Sequence, residues 1–301
     1  MEWLQWQVPV CALIFILPTA IAIRLLRKRT GGGGGRAAVE PSDLWATCWR
    51  SLHPRWLLLY RAFAFLSMAF LLYQTVAAFG FFAFFFYTQW TFALVMVYFA
   101  LATIVSVPKI HEIEHTRTGE KDGFLKKNLE EMNYGTTSAT KPTEDLGFME
   151  NLLQIVYQTC AGAVMLTDIV FWCVLLPFMT GENFQLTLLI GCMHSINAVF
   201  LILESALNSL PFDWFGLVYF ILWSCAYIVV QWLLHACCVT WWPYPFLDLS
   251  TPWAPVWYLA LALVHIPCYG LYVLLTYAKH AAFSRLFPQT FVRVSAGNKQ
   301  D

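Results

Sequence analysis

A few side chains able to do chemistry stand inside long apolar runs of this chain. The stretch Phe184 to Leu210 is hydrophobic enough to cross a bilayer, yet it carries His194 near its centre. At about 100° per residue, a helix there gathers His194, Asn197, Glu204, Ser205 and Asn208 on one stripe. A second run, Tyr87 to Val107, puts Tyr87, Thr88, Thr91 and Tyr98 on one face, and a third gathers Glu150, Gln154, Tyr157, Gln158 and Asp168. Such groups are costly at bilayer depth, about 2.5 to 3.5 kcal/mol for Asp or Lys, so the stripes should face a bundle interior or a wet cavity. Their simplest use is interhelical hydrogen bonding, worth about 0.6 kcal/mol per contact. A more specific use is also open. Thr91 offers a hydroxyl and His194 a base that titrates near neutrality, the minimum pair for activating a weak nucleophile against an ester carbonyl.

Three other constellations compete with that pair. His111-Glu112-Ile113-Glu114-His115 matches HExxH, in which two histidines one helical turn apart hold zinc. Pro108 before it and Gly119 after it argue against a continuous helix, and no third ligand is evident. His194, His235 and His265 could in principle be axial haem ligands, but His235 lies nearer one end of its apolar run than the other two. Asp168 and Glu204 are intramembrane carboxylates of the kind that line ion or proton paths. A channel, carrier or scaffold is therefore the alternative to an enzyme, although no inverted repeat marks a carrier. No cofactor and no metal are expected.

Positioning these groups requires membrane helices. Of 301 residues, 59% are hydrophobic and only 12% charged, where a soluble domain has about 25% charged. Zero formal net charge argues against a nucleic-acid partner; membrane lipids are the expected surroundings. A spanning helix needs about 20 apolar residues, and seven stretches qualify, at about 5–23, 56–78, 85–107, 150–176, 184–206, 212–238 and 255–278. The expected fold is thus all-α, a polytopic integral membrane bundle with an N-terminal anchor helix (1–26), a cytoplasmic linker (27–54) containing Gly31 to Gly35, a six-helix core (55–280) with a solvated loop at 108–147, and a cytoplasmic tail (281–301). All Lys and Arg except Arg61 lie in segments 24–55, 108–149 and 279–301, which by the positive-inside rule places the N-terminus outside and the C-terminus in the cytoplasm. Arg61 is expected to snorkel to that same side. The Trp- and Pro-rich segment 240–255 should form an ordered cap at the outer surface. The cysteines, an odd number without CxxC spacing, read as packing residues, Cys160, Cys173, Cys192, Cys225 and Cys268 among them.

Across residues 55–280, the segments YTQWTFALVMVYFALATIVSV, GCMHSINAVFLILESALNSLPFDWF and WWPYPFLDL resemble the androgen-induced protein family. That family comprises multipass membrane hydrolases that cleave fatty acid esters of hydroxy fatty acids with an intramembrane Thr and His. Its pattern of a Thr-Phe pair opening one helix, a His on a later helix and a Trp-x-Tyr-Pro-like segment before the last span is similar to Thr91-Phe92, His194 and Trp242-Pro243-Tyr244-Pro245. The resemblance implies Thr91 as nucleophile, His194 as general base and a hydrophobic acyl-ester substrate. Gln89 and Asn197 are candidate oxyanion donors, with Tyr98 and Asp168 as possible supports. The N-terminal span, the glycine run and the long 108–147 segment are additions to the family pattern.

Overall fold

A computed structural model describes residues 3, 5–31, 41–127, 144–179 and 185–292. The chain is an all-helical membrane bundle. Among the described residues, seven helical segments are long and apolar enough to span a bilayer. They are built from α1 (Gln7–Gly31), α2 (Pro54–Phe79), α3 (Tyr87–Lys127), α4 (Glu144–Val170), α5 (Leu188–Met193) with α6 (Ile196–Leu207), α7 (Gly216–Cys237) and α8 (Ala254–Leu286). Large apolar side chains such as Leu13, Leu59, Phe63, Leu66, Leu263 and Leu274 are exposed; at these positions they meet lipid tails, so hydrophobicity alone does not distinguish inside from outside.

The expected polar stripes do face inward. Tyr87, Thr88, Thr91 and Tyr98 on α3, Gln154, Tyr157 and Gln158 on α4, and His194, Asn197, Glu204, Ser205 and Asn208 are all buried. The side chain of Glu150 lies outside the described residues. Two glycines let α4 and α7 approach closely. A Cβ on Gly162 would collide with the Phe220 ring, and one on Gly216 would collide with Gln158 and Tyr269. This is small-residue packing between membrane helices without a GxxxG pair.

Several local expectations change. The fifth span is interrupted: α5 ends at Met193, His194 has φ −107° and ψ 18°, and α6 starts at Ile196. The fourth widens into a π-helix at Phe171–Met179, around Pro177, a proline that can supply no N–H to a regular ladder. The solvated loop expected from Pro108 is helical as far as Lys127. Pro108 removes a single backbone donor, and a pair such as Lys109–Glu112 at 3.1 Å supports the exposed turn that follows. Residues 128–143, Gly32 to Gly35 of the glycine run and the tail from 293 lie outside the described residues. Arg61 does not snorkel; its side chain is fully buried on Glu204. Cys173 is exposed, as are Cys237 and Cys238, whereas Cys160, Cys225 and Cys268 are buried.

Two sets of contacts tie the ends of the helices together. At one end the segment 41–52 acts as a strap. Cys48 N–H donates to Leu207 O at 2.9 Å, and Val292 N–H donates to Cys48 O at 2.8 Å. Trp49 packs on Phe283, Phe287 and Phe291. At the other end the aromatic segment 240–253 forms the expected cap: Phe246, Leu247 and Leu249 are buried. The first helix is held there too, since Gln7 donates through Nε2 to Leu249 O at 3.0 Å. Along its length α1 packs on α7 and α8.

Candidate functional site

The C-terminal end of α4 organises the polar interior. Its Thr167 bonds back to Ala163 O at 2.7 Å, a common way for a helix to satisfy a hydroxyl. Thr167 Oγ1 also lies 3.2 Å from Thr91 Oγ1 on α3. The next residue, Asp168, turns about 100° away and meets the break in the fifth span. Its Oδ1 accepts from Asn197 Nδ2 at 3.5 Å and stands 4.0 Å from His194 Nδ1.

His194 is held from three sides by α4 and its π-helical extension. Asp168 faces its Nδ1, Phe171 lies flat on the ring with centroids 3.6 Å apart, and Trp172 Nε1 donates to His194 O at 2.8 Å. That last bond explains how the break survives inside a membrane: a carbonyl released where the ladder stops is satisfied by a neighbouring helix, as hydrocarbon surroundings demand. Among the described residues, His194 Nδ1 and Asp168 Oδ2 are buried without a hydrogen-bond partner. An imidazole and a carboxylate therefore sit together with unused capacity.

Thr91 and His194 are thus tied to consecutive residues of α4, but no hydrogen bond joins them to each other. The remaining sequence candidates fall in different places. Asn197 belongs to the Asp168 cluster. Gln89, buried with an unpartnered Oε1, precedes Thr91 by two positions, roughly 200° round the helix, and bonds neither Thr91 nor His194. Tyr98 belongs to a separate cluster, donating to Glu204 Oε1 at 2.9 Å. There Arg61 reaches Glu204 at 2.7 Å and 3.0 Å, Leu44 O at 2.7 Å and Ser106 Oγ at 2.8 Å.

The competing constellations can also be placed. His111 and His115 lie one turn apart on α3 with ring centroids 4.4 Å from each other, so the motif is helical after all. Among the described residues no group of three or more His, Cys, Asp and Glu is assembled as a metal site. The three membrane histidines stack on three different partners: His194 on Phe171, His235 on Trp242 and His265 on Phe220.

A cavity of about 80 Å³ opens beside Thr167, between α3, α4, α7, α8 and the cap. Thr167 lines it, and so does Thr88, one turn before Thr91; Thr91 and His194 do not. The remaining polar wall comes from Tyr87, Ser224, Tyr227, Tyr244 and His265, set among Leu, Ile, Val and Phe. Burial pushes the Tyr244 phenol up to about 12, so its hydroxyl keeps its proton at physiological pH and can accept from Tyr87 N–H, 3.0 Å away. Ser224, Tyr227 and His265 were not read from sequence as one site. The first two recur at i and i+3 on α7, which is the available signal; His265 stands alone on α8. No family model, curated protein or solved structure matches the chain.

Proposed function

We propose that the protein is an intramembrane lipid-ester hydrolase in which Thr91 is the nucleophile, His194 the general base and Asp168 the group that orients the imidazole. The observation that carries this reading is the pairing of Thr167 with Thr91 and of Asp168 with His194 through adjacent residues of one helix. Catalytic hydrogen bonds are often loose before substrate binds, and the imidazole, stacked on Phe171 in this state, has to come within reach of Thr91 when substrate is bound. Thr91 Oγ attacks the ester carbonyl as His194 takes its proton, and the C–O bond to the alcohol breaks as His194 returns that proton to the leaving oxygen. Water, deprotonated by the same imidazole, then cleaves the acyl-threonine and regenerates the hydroxyl. Asn197 Nδ2, which contacts Asp168 Oδ1, is the candidate donor for the developing oxyanion.

The resemblance to the androgen-induced protein family supports a fatty acid ester of a hydroxy fatty acid as substrate, entering between the helices from the membrane. The basic-residue pattern supports an N-terminus outside and a C-terminus in the cytoplasm. The test is turnover of such an ester by purified full-length protein in detergent, with labelling by a long-chain fluorophosphonate. Wild type is expected to turn over and label, and Thr91→Ala and His194→Ala to do neither. Equal labelling of all three proteins removes both residues from the mechanism.

A second reading has its own observation, the break of the fifth span at His194 beside Asp168. Discontinuous helices with ionisable groups also build carrier and proton sites. Proton flux in proteoliposomes that disappears in Asp168→Asn, with no ester turnover in any variant, favours that alternative.

A further inference from the structure

The HExxH segment His111–His115 plays no part in the hydrolase reading. The sequence objection to it as a metal motif, Pro108 before it and Gly119 after it, does not hold in the fold: α3 runs from Tyr87 to Lys127 as one helix. At about 100° per residue, His111 and His115 are therefore neighbours on one helix face. Both are exposed, where the apolar run of the third span ends.

Their ring centroids lie 4.4 Å apart at an interplanar angle of 58°. Two imidazoles on one zinc ion, each bound through a nitrogen at about 2.0–2.1 Å in a tetrahedral array, bring their ring centres to about 5 Å. The pair already stands within roughly half an ångström of that spacing. Exposed side chains reorient on the picosecond to nanosecond scale, so small ring rotations complete the chelate.

The neighbouring residues limit what such a site does. In a zinc protease the glutamate of this motif activates water beside the metal, and a third protein side chain completes the ligand set. Here Glu112 Oε2 accepts from Lys109 Nζ at 3.1 Å, and among the described residues no third His, Cys, Asp or Glu is gathered with the two histidines. Two protein ligands leave the other coordination positions to water, the composition of an exchangeable site and not of a closed structural one.

We propose that His111 and His115 form an exchangeable zinc(II) site on α3 just past Pro108. Zinc held there bridges successive turns of the helix and favours the helical form of this stretch. The proposal is independent of the hydrolase reading, since it uses neither Thr91 nor His194.

The experiment titrates zinc chloride into full-length protein in detergent by isothermal calorimetry. The thiols are first blocked with N-ethylmaleimide, because Cys173, Cys237 and Cys238 are exposed and thiolates compete for zinc. Wild type is expected to bind zinc about tenfold or more tightly than His111→Gln or His115→Gln, because the second nitrogen of a chelate binds intramolecularly. Each single variant should lose the whole of that gain, so that His111→Gln combined with His115→Gln binds no more weakly than either alone. Wild type that binds zinc no better than the double variant overturns the proposal. Single losses that add up to the loss in the double variant also overturn it, being the mark of two separate imidazoles. Melting curves recorded without zinc should coincide for all four proteins, as expected for substitutions at exposed positions; the comparison of wild type with either single variant decides the matter even if the double variant melts lower.

Discussion

Among the described residues, Glu204 is fully buried and Asp168 largely so, and their partners separate their roles. Glu204 receives Arg61 through two nitrogens and also Tyr98, while Arg61 spends its remaining capacity on Leu44 O and Ser106. The bonds to Glu204 all converge on Oε1, and Oε2 is buried without a partner among the described residues; what makes the burial tolerable is the guanidinium paired with the charge. Among the described residues no Lys or Arg pairs with Asp168. It faces an imidazole at 4.0 Å and a carboxamide at 3.5 Å, with Oδ2 unused. A buried carboxylate neutralised by a guanidinium holds structure, whereas one facing only an imidazole and a carboxamide is placed to exchange a proton. Glu204 is accordingly assigned to stability and Asp168 to function. Arg61→Leu should leave Glu204 buried alone and cost roughly 3–5 kcal/mol. Arg61→Leu with Glu204→Leu should recover much of that loss, because no unpaired charge remains. Thermal unfolding of the purified variants by intrinsic Trp fluorescence checks the ranking; a double variant less stable than the single one would contradict it.

At the scale of helices, the close approach of α4 to α7 matters because α4 carries Thr167 and Asp168 while α7 supplies one wall of the cavity. Gly162 has no room for a side chain against Phe220. Gly162→Leu should therefore push the two helices apart, destabilise the protein by about 1–3 kcal/mol and reduce ester turnover, whereas Gly191→Ala, with open space at its Cβ, should do neither. Melting temperature and turnover measured on the same preparations test both halves. The helices themselves were legible from sequence because lipid leaves a strong signature: long apolar runs, with polar residues spaced to fall on one face. The inward burial of Thr91, Tyr98, Tyr157 and Asn197 followed from that spacing. Where the backbone departs from a regular helix, the cause lies elsewhere in the chain. The break at His194 depends on an indole from the π-helical extension of α4 that accommodates a released carbonyl, and no periodicity within 184–206 could announce it. Arg61 misled for the same reason, since its partner is 143 residues away. The missing direct bond between Thr91 and His194 is likewise a property of two helices and a third that separates their attachment points.

For the molecule as a whole, the two ends of the bundle can be told apart without any reference to a membrane. The strap 41–52 bridges to Asn208 and Phe291, and Arg29 at the end of α1 meets Asp213 at 3.6 Å and the Phe215 ring at 3.9 Å. The end of α1, the connection from α6 to α7 and the end of α8 therefore share one side. On the other side, Gln7 reaches Leu249, Tyr227 reaches Phe85, and Tyr87 reaches Tyr244, gathering the start of α1, the turn before α3 and the cap. Losing any single crossing would break this alternation, and the side that carries the strap is also the side with the Lys and Arg residues. Basic residues near helix ends stay cytoplasmic, so the strap should face the cytoplasm and the cap, with the cavity beneath it, the opposite compartment. An epitope tag added after residue 301 should become accessible in cells only once the membrane enclosing the cytoplasm is opened, and a glycosylation acceptor placed in the cap at Ser250 should be modified. A tag and an acceptor that both report the cytoplasmic side would require an even number of crossings between them, and the pairing of helix ends just described leaves no place for that.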